Sequence, residues 1–201
     1  MDNLKVTNVI IEDITVECEL NTNNIPLQKI SFDLEKKVFE PELKDFIIVC
    51  NRDKQPPNNY HTTVFKNGKI LLSNIKRFED IESIKNKVLG RMKQMGCDYK
   101  VTKTRVRESV VRYELKEKIE SLRHIANSPK NCQYNKELDV MIYRSAERLK
   151  NAYCVLRDDR KDILVMGLEN ETQVREYRDI IENNIKINAK PLPNNAEKEV
   201  D

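Results

Sequence analysis

The sequence has no tryptophan, only four glycines and only two histidines among its 201 residues. The glycines form neither a G-x-G-x-x-G motif nor a phosphate-binding loop, and there is no H-E-x-x-H or G-x-S-x-G motif. These absences leave little material for catalysis and disfavour an enzyme that cradles phosphate. We therefore expect no enzymatic activity and no cofactor or metal, and we assign no role to His61 or His124.

Long hydrophobic runs are also missing, since no apolar stretch approaches the roughly 20 residues of a membrane helix. Charged residues make up 34% of the chain, and its start does not resemble a secretory signal, so we expect a soluble protein without a membrane partner. Lysine and arginine number 36 against 33 acidic residues. This balance does not prove nucleic-acid binding, although a basic face could lie within it.

The cysteines show no spacing typical of a metal site or a redox pair. The five cysteines form no C-x-x-C pair, and their number is odd; they are Cys18, Cys50, Cys97, Cys132 and Cys154. We expect reduced thiols in a cytosolic or nuclear protein, most of them in buried apolar positions.

What the chain does contain is an internal repeat. Residues 5–20 read KVTNVIIEDITVECEL and residues 100–115 read KVTKTRVRESVVRYEL. At the same shift FEPEL (39–43) meets YNKEL (134–138). After one-residue slips FIIVC (46–50) meets VMIYR (140–144), and KILLSN (69–74) meets DILVMG (162–167). The pattern predicts two repeats, 1–97 and 98–187, followed by a disordered polar tail, 188–201.

Each repeat is predicted to run strand, short helix, four strands, long helix. The long first strands cover 6–20 and 101–114, the former with a bulge near Glu12 and Asp13. In the first repeat the short helix follows Asn24 and Pro26, and the later strands cover 37–40, 46–52, 60–65 and 69–73. The segment 55–59 and the turn Asn67-Gly68 separate these strands. The fold class is therefore α+β, with two pseudo-symmetric repeats.

Helical periodicity marks the other helices. One apolar stripe predicts the long helix of the first repeat and another that of the second; they are Phe78, Ile81, Ile84, Val88, Met92 and Met95, and Val174, Tyr177, Ile181 and Ile185. The short helix of the second repeat is predicted from the stripe Leu115, Ile119, Leu122 and Ala126.

One face of the antiparallel sheet is expected to lack helices. If both helices of a repeat cover one side, the other side carries Ile10, Phe65 and Leu71 as an exposed apolar patch. Such patches usually mark binding surfaces. The alternative is a sandwich that buries both faces.

The two-repeat pattern resembles the core of the TATA-box-binding protein family. The pieces that carry the resemblance are N-V-I at Asn8, F-E-P-E-L at 39–43, and T-T-V-F-K-N-G-K-I-L-L-S-N-I-K at 62–76. The resemblance spans roughly residues 5–187 and is more specific in the first half. It implies one curved antiparallel sheet, a saddle, with helices on its convex face and a concave face that binds the minor groove of A·T-rich DNA.

The resemblance also implies DNA-binding residues. In the first half Asn8 is a groove-facing asparagine, Phe65 is a wedge, and Ile10, Leu71 and Ser73 share their face. Lys66, Lys69 and Lys76 would reach phosphates. In the second half the corresponding face is formed by Lys103, Arg105, Leu138, Arg144, Leu156, Leu164 and Met166, with Leu138 and Leu156 in place of the wedges.

Several of these residues depart from the family pattern. Lys44 stands where the other wedge of the first repeat belongs, and Lys103 replaces the second asparagine. Arg105 replaces a small apolar residue. The second half is therefore more cationic on its expected DNA face, which favours weaker, more electrostatic DNA contact.

The convex side is expected to bind partner proteins. Lys85, Lys87, Arg91 and Lys93 lie along the first long helix, on a surface that binds regulators in the family; a merely solvated face is the alternative. Glu137 and Leu138 occupy the loop that docks transcription factor IIB in the family.

The resemblance thus predicts a monomeric pseudo-dimer that acts as a general transcription initiation factor. Its partners would be A·T-rich double-stranded DNA, a transcription factor IIB-like factor and RNA polymerase. A chain of the same fold that has lost specific DNA binding and serves as an interaction module is the alternative. A small enzyme using Asp158, Asp159 or the cysteines is a third class, although residues 158–161 fit a hairpin turn better. The asparagine-, lysine- and isoleucine-rich composition is typical of an A·T-rich genome, and the departures resemble a viral or protist copy. The expected location is the nucleus, or a viral factory or virion.

Overall fold

The computed structural model describes residues 2–32, 37–38, 45–54, 57–119, 132–144, 149, 151–158 and 160–187. The chain divides into two compact units. The first unit is Ile11–Val111 with Gly167–Glu171, and the second is Met1–Ile10, Arg112–Met166 and Thr172–Asp201. These units do not end at 97, because two long strands each contribute to both units; the repeat boundary itself stays a prediction.

The first unit is an antiparallel sheet with helices. Its elements are β2 (Val6–Leu20, from residue 11), α1 (Leu27–Phe32), β3 (Lys37–Val38), β4 (Phe46–Lys54), β5 (Pro57–Phe65), β6 (Lys69–Ile75), α2 (Asp80–Gln94) and β7 (Val101–Ile119, to residue 111). The strand order is β3-β4-β5-β6-β2-β7. Along the chain, the elements from β2 to α2 run strand, short helix, four strands and long helix, as the sequence predicts for the first half.

A core fills one side of this sheet. Alternate residues of β2, Val16 and Cys18 among them, are buried in one apolar cluster with Leu72 of β6. From α2 the buried contributors are Ile84, Val88 and Met92. The predicted stripe of α2 is thereby confirmed, and Phe78, Ile81 and Met95 pack against the same cluster half-buried.

The turn between β5 and β6 depends on Gly68, which has φ +88°. The Gly68 N–H donates to the Phe65 carbonyl at 3.2 Å, so the loop contains Lys66, Asn67 and Gly68. A Cβ on Gly68 would lie 1.8 Å from the Thr22 carbonyl oxygen. The predicted hairpin is present, but it is a three-residue turn that ends in a left-handed glycine, not a two-residue turn.

The strand irregularity lies in β6. The register shifts between Ile14, which faces Ile75, and Val16, which faces Leu72, so β6 carries an extra residue there. Asn74 has φ +63°, and its N–H donates to Asp13 Oδ1 at 2.6 Å. The bulge expected near Asp13 therefore lies in the partner strand, where Asn74 tolerates the left-handed backbone.

The second unit is also an antiparallel sheet. It contains the ends of β2 and β7, then β8 (Cys132–Asn135), β9 (Val140–Arg144), β10 (Tyr153–Arg157), β11 (Arg160–Met166) and α3 (Glu171–Asn184), in the strand order β2-β7-β11-β10-β9-β8. Strands β1 (Asp2–Asn3) and β12 (Lys186–Ile187) pair with each other. Tyr113 packs beside Tyr177 of α3 and donates its hydroxyl to the Val174 carbonyl at 2.8 Å.

Two predicted boundaries are wrong. Leu115 and Ile119 do not begin a short helix, because β7 continues through Ile119 and both residues are buried in it. The period-two burial of Val111, Tyr113 and Leu115 decides for the strand; Leu122 and Ala126 lie outside the described residues. The loop predicted at 55–59 is shorter, since β5 begins at Pro57, at the strand end where proline is tolerated.

Among the described residues, no helix has the length and apolar character needed to span a bilayer.

Candidate nucleic-acid interface

Each unit has a sheet face turned away from its buried core, which we call its open face. In the first unit the residues of β4, β5 and β6 on this face alternate with buried ones. They are Phe46, Ile48 and Cys50, His61, Thr63 and Phe65, and Lys69, Leu71 and Ser73. The apolar members are half-buried, so the expected patch is less exposed than the sequence suggests.

Cross-strand register arranges these side chains in rows. Ile48, Thr63 and Leu71 face one another across β4, β5 and β6, and Leu71 faces Glu17 of β2. Leu71 and Ser73 therefore share one face with Phe65, as the resemblance implies.

Phe65 has an aromatic partner that the sequence reasoning missed. Phe46 is directly opposite Phe65 in the register, and the ring centroids are 5.6 Å apart at 48°. Both rings are half-buried. The neighbouring backbone holds the pair in place, because Lys66 N–H donates to the Asp45 carbonyl at 2.8 Å. The position expected for the second wedge, Lys44, lies outside the described residues, and the only sequence signal for Phe46 was its place at the start of a strand.

A buried carboxylate lies in the middle of this open face. The Glu17 side chain is 4% exposed and accepts hydrogen bonds from Arg105 Nε at 2.9 Å and from Arg107 at 3.1 Å. Lys69 Nζ is 3.9 Å from the same carboxylate. We call these four residues the Glu17 cluster. Arg105 and Lys69, both expected to face DNA, therefore pair with an acid of the same face.

The charges around Glu17 control its protonation. Burial alone would raise the pKa of the carboxyl group, but the hydrogen bond from Arg105 and the charges of Arg105, Lys69 and Arg107 outweigh burial. The pKa of Glu17 is therefore lower than its ordinary value, and the carboxylate is ionised at neutral pH.

The open face of the second unit is partly apolar. Leu164 and Met166 of β11 face Val155 and Tyr153 of β10. Arg144 of β9 lies over the Tyr153 ring, with its guanidinium carbon 4.9 Å from the ring centroid. Three residues expected to contact DNA, Arg144, Leu164 and Met166, therefore share one side of this sheet.

Asn8 contacts an acid of the neighbouring strand. Its side-chain amide donates to Glu114 Oε2 at 3.1 Å, and Glu114 Oε1 is 3.8 Å from Arg112. Asn8 is exposed and Ile10 is half-buried on β2. A base edge that used the Asn8 amide would have to compete with Glu114.

Leu156 does not lie on the open face. It is fully buried in β10, on the same side as Cys154, because strand alternation directs it into the core. The resemblance placed a wedge near this residue, and the residue that follows it, Arg157, is the one that is partly exposed. Leu138, in contrast, is 69% exposed in the turn before β9.

Three further lysines lie at the ends of strands. Lys66 is exposed in the β5–β6 turn, 4.0 Å from Asp45, and Lys76 donates its ammonium to the Glu12 carbonyl. Lys103 is exposed on β7 at the parity of Arg105. These positions allow phosphate contact in any partner that covers the open face.

The cations of α2 also have partners within the chain. Lys85 pairs with Glu82 at 2.6 Å, Lys93 pairs with Asp98 at 3.1 Å, and Arg91 donates to the buried Asn51 side chain. Lys87 is exposed and, like the other three cations, has an interaction partner within the chain.

Three of the five thiols are unsuited to nucleophilic chemistry because they are buried. All five cysteines are free, and Cys18, Cys97 and Cys154 are buried. Burial raises the pKa of Cys18, and it raises the pKa of Cys154 to about 12, so these thiols are poor nucleophiles at neutral pH. Within the described part of the chain no three His, Cys, Asp or Glu side chains are grouped so that they could hold a metal ion.

The chain matches known proteins in structure but not in sequence. No protein-family model and no curated protein matches the sequence. Among solved structures the chain is similar to one described as Methanococcus jannaschii TBP, with a TM-score of 0.64 and 21% sequence identity. The match covers 87% of this chain and 97% of that one. The resemblance to the TATA-box-binding protein is thereby confirmed at the level of the fold.

Proposed function

We propose that the chain is a transcription factor that binds A·T-rich double-stranded DNA through the open faces of its units and recruits further factors of the transcription machinery. The observation that carries the proposal is that the described helices pack on the core side of each sheet and leave the opposite face open, within a fold similar to that of a TBP. The minor groove presents a degenerate hydrogen-bond pattern, so it is read by apolar contact, shape and a few polar groups. Both faces offer side chains of that kind.

The electrostatics of the faces set the manner of binding. Glu17 neutralises part of the positive charge of Arg105, Arg107 and Lys69, so fewer cations remain available for phosphates than the sequence suggests. Binding should therefore depend on salt less steeply than the number of cations implies, because each neutralised phosphate contributes about 0.9 to the slope of log K against log[salt]. The affinity should come more from shape and apolar contact.

Recruitment of protein partners is proposed for the turn before β9. Tyr134 and Leu138 are the exposed large hydrophobic residues of the described chain, at 48% and 69%. The Asn135 side chain accepts the N–H groups of Glu137 and Leu138 at 3.0 and 3.1 Å and fixes the turn. A preformed turn that presents one exposed apolar side chain, Leu138, suits a transcription factor IIB-like partner, with Glu137 beside it. The α2 cations Lys85, Lys87, Arg91 and Lys93 form a second proposed surface, for acidic regulators.

A second candidate is an interaction module of the same fold without specific DNA binding. Two contacts favour it: the Glu17 carboxylate lies on an open face, and Glu114 occupies the Asn8 amide. Glu17 lowers the positive charge that the open face presents to phosphates, and Glu114 competes with DNA for the Asn8 amide. In this reading RNA polymerase or general factors would be the partners, and the location would be the nucleus or a viral factory or virion.

A fluorescence-anisotropy titration distinguishes the two candidates by the affinity of the protein for an A·T-rich and for a G·C-rich duplex, each measured at two salt concentrations. The DNA-binding proposal expects tighter binding of the A·T-rich duplex at both. Equal affinities that vanish at the higher salt, or no binding at the lower, would exclude it and favour the interaction module. Lys93→Gln, on α2 and away from the open face, serves as a control, because it should not change the preference for A·T pairs.

A further inference from the structure

We infer that Arg105 and Arg107 read base pairs in the minor groove and that Glu17 is the residue that positions them. This inference rests on the proposed function, and it names the groups that distinguish A·T from G·C pairs on the open face of the first unit. Both arginines lie on β7 and Glu17 lies on β2, all within the first unit, so the arrangement does not involve the second. The sequence predicts an electrostatic role for Arg105 and none for Arg107.

An apolar row leads across the open face to the arginines. Ile48, Thr63 and Leu71 face one another on three strands, and Leu71 faces Glu17 on the next strand. Aliphatic side chains such as Ile48 and Leu71 contact a groove by shape and offer no hydrogen bond to a base edge. The guanidinium groups bonded to Glu17 therefore add N–H donors at the end of a row that reads shape alone.

Both guanidinium groups keep N–H groups that Glu17 does not use. Arg105 donates to Glu17 Oε1 from Nε at 2.9 Å and from Nη2, which leaves Nη1. Arg107 donates to Glu17 Oε2 from Nη1 at 3.1 Å, which leaves Nε and Nη2. Among the described residues these three nitrogens have no other partner, and the two side chains are 47% and 56% exposed. They are therefore accessible to a ligand that covers the open face.

These donors match the hydrogen-bonding groups of an A·T pair. Adenine N3 and thymine O2 accept hydrogen bonds at the floor of the minor groove, whereas a G·C pair places the N2 amino group of guanine, a donor, between its acceptors. A guanidinium group has no acceptor to offer to that amino group. The minor groove of A·T-rich tracts is also narrow, and its more negative potential attracts arginine. Donors held at fixed points therefore penalise a G·C pair at those points.

Glu17 holds the donors at fixed points. A free arginine side chain has many rotamers, and ordering it on a base opposes binding. Here each guanidinium group is already bonded to one carboxylate, which is 4% exposed and belongs to β2. The Glu17 cluster contains three cations and one anion, so part of its positive charge remains for the DNA. Glu17 thus lowers the non-specific attraction to phosphates and favours one arrangement of the donors.

Minor-groove reading can be tested by replacing one adenine at a time with 2,6-diaminopurine in an A·T-rich duplex. The modified base still pairs with thymine, and in the minor groove it adds the amino group that guanine has there. Fluorescence anisotropy should reveal positions at which the parent binds the modified duplex about fivefold or more weakly than the unmodified one. This penalty is the lower end of the discrimination that a good arginine–base contact provides.

Three variants and a control assign the penalty to residues. Arg105→Lys and Arg107→Lys keep the charge but lose the planar fork, so each should reduce the penalty at some of these positions and leave the slope of log K against log[salt] unchanged. Glu17→Gln keeps both arginines but weakens their anchor, so it should reduce the same penalties while it tightens binding at low salt. Arg77→Lys, which lies before α2 and pairs with Asp80, is the control and should retain the parent's pattern.

The assignment is overturned if both lysine variants of the cluster keep every penalty of the parent. It is also overturned if they weaken all duplexes by one common factor, because the arginines would then contact phosphates alone, or if Arg77→Lys changes the pattern in the same way. Both lysine variants keep a cation beside Glu17, so these results do not depend on whether Glu17→Gln folds. Absence of any A·T preference in the parent would instead refute the proposed function itself.

Discussion

Replacing Glu17 by glutamine tests what the Glu17 cluster does. The substitution keeps the shape and one acceptor oxygen but removes the charge that Arg105, Arg107 and Lys69 share. Breaking a fully buried ion pair costs about 3–5 kcal/mol. Here the three cations are 47%, 56% and 45% exposed, and water can take over part of their solvation. We therefore expect the free energy of unfolding to fall by about 1–3 kcal/mol, in the range of charged hydrogen bonds.

The same substitution should change the pH dependence of stability. The pKa of Glu17 is lower in the folded chain than in the unfolded one, because the hydrogen bond from Arg105 and the nearby cations outweigh burial. Its contribution is therefore present above about pH 4.3, the ordinary value for glutamate, and is lost as the pH falls through the folded pKa. Urea unfolding curves of parent and Glu17→Gln should differ at pH 7 and converge at acid pH.

DNA binding supplies the second readout. Freed from Glu17, the cations become available for phosphates, so Glu17→Gln should bind DNA more tightly at low salt and steepen the salt dependence by about 0.9 for each new contact. Glu19→Gln is the matched control, since it removes the same charge two residues along the same face, and it should change stability less. The reasoning about the Glu17 cluster is refuted if both variants have the same stability, or if Glu17→Gln leaves the parent's unfolding free energy unchanged.

Three further substitutions test single positions. Leu156→Ala should lower the unfolding free energy by about 2–5 kcal/mol, because the residue is fully buried; a loss of DNA affinity at unchanged stability would contradict its place in the core. Gly68→Ala should cost more than about 1 kcal/mol in thermal or urea unfolding, given φ +88° and the approach to the Thr22 carbonyl, and a neutral result would contradict the turn. Ser109→Ala should cost about 1–3 kcal/mol, because its hydroxyl both donates to the Leu168 carbonyl at 2.7 Å and accepts from the Leu168 N–H at 2.9 Å; an unchanged urea midpoint would argue against these bonds.

Local periodicity was enough to predict much of the first unit. The spacing of Ile84, Val88 and Met92 specified the helix α2 and its buried side, since residues three and four apart share one face of a helix. Asn67-Gly68 marked the turn between β5 and β6. These features depend on the backbone geometry of a few neighbouring residues, which a sequence contains directly.

The partners of each side chain across the sheet were decided by tertiary structure alone. Arg105 reaches Glu17 from 88 residues away in the sequence, and Phe46 meets Phe65 because β4 and β5 pair in one register out of several. The burial of Leu156 in the core was also decided by the strand register. A shift of one residue along a strand moves a side chain to the other face, so an alignment that is off by one exchanges a wedge for a core residue.

The sequence gives the number of charged residues but not their arrangement in space. Its 36 cations and 33 acids give a nearly balanced chain, and nothing local tells whether Glu17 lies beside Lys69 and the arginines or apart from them. The sequence by itself predicted the helices α1, α2 and α3, the place of the turn at Gly68 and a fold like that of a TBP. Only the tertiary structure decided which open-face cations are neutralised and that Phe46 meets Phe65 on the open face, because both depend on strand pairing between distant segments.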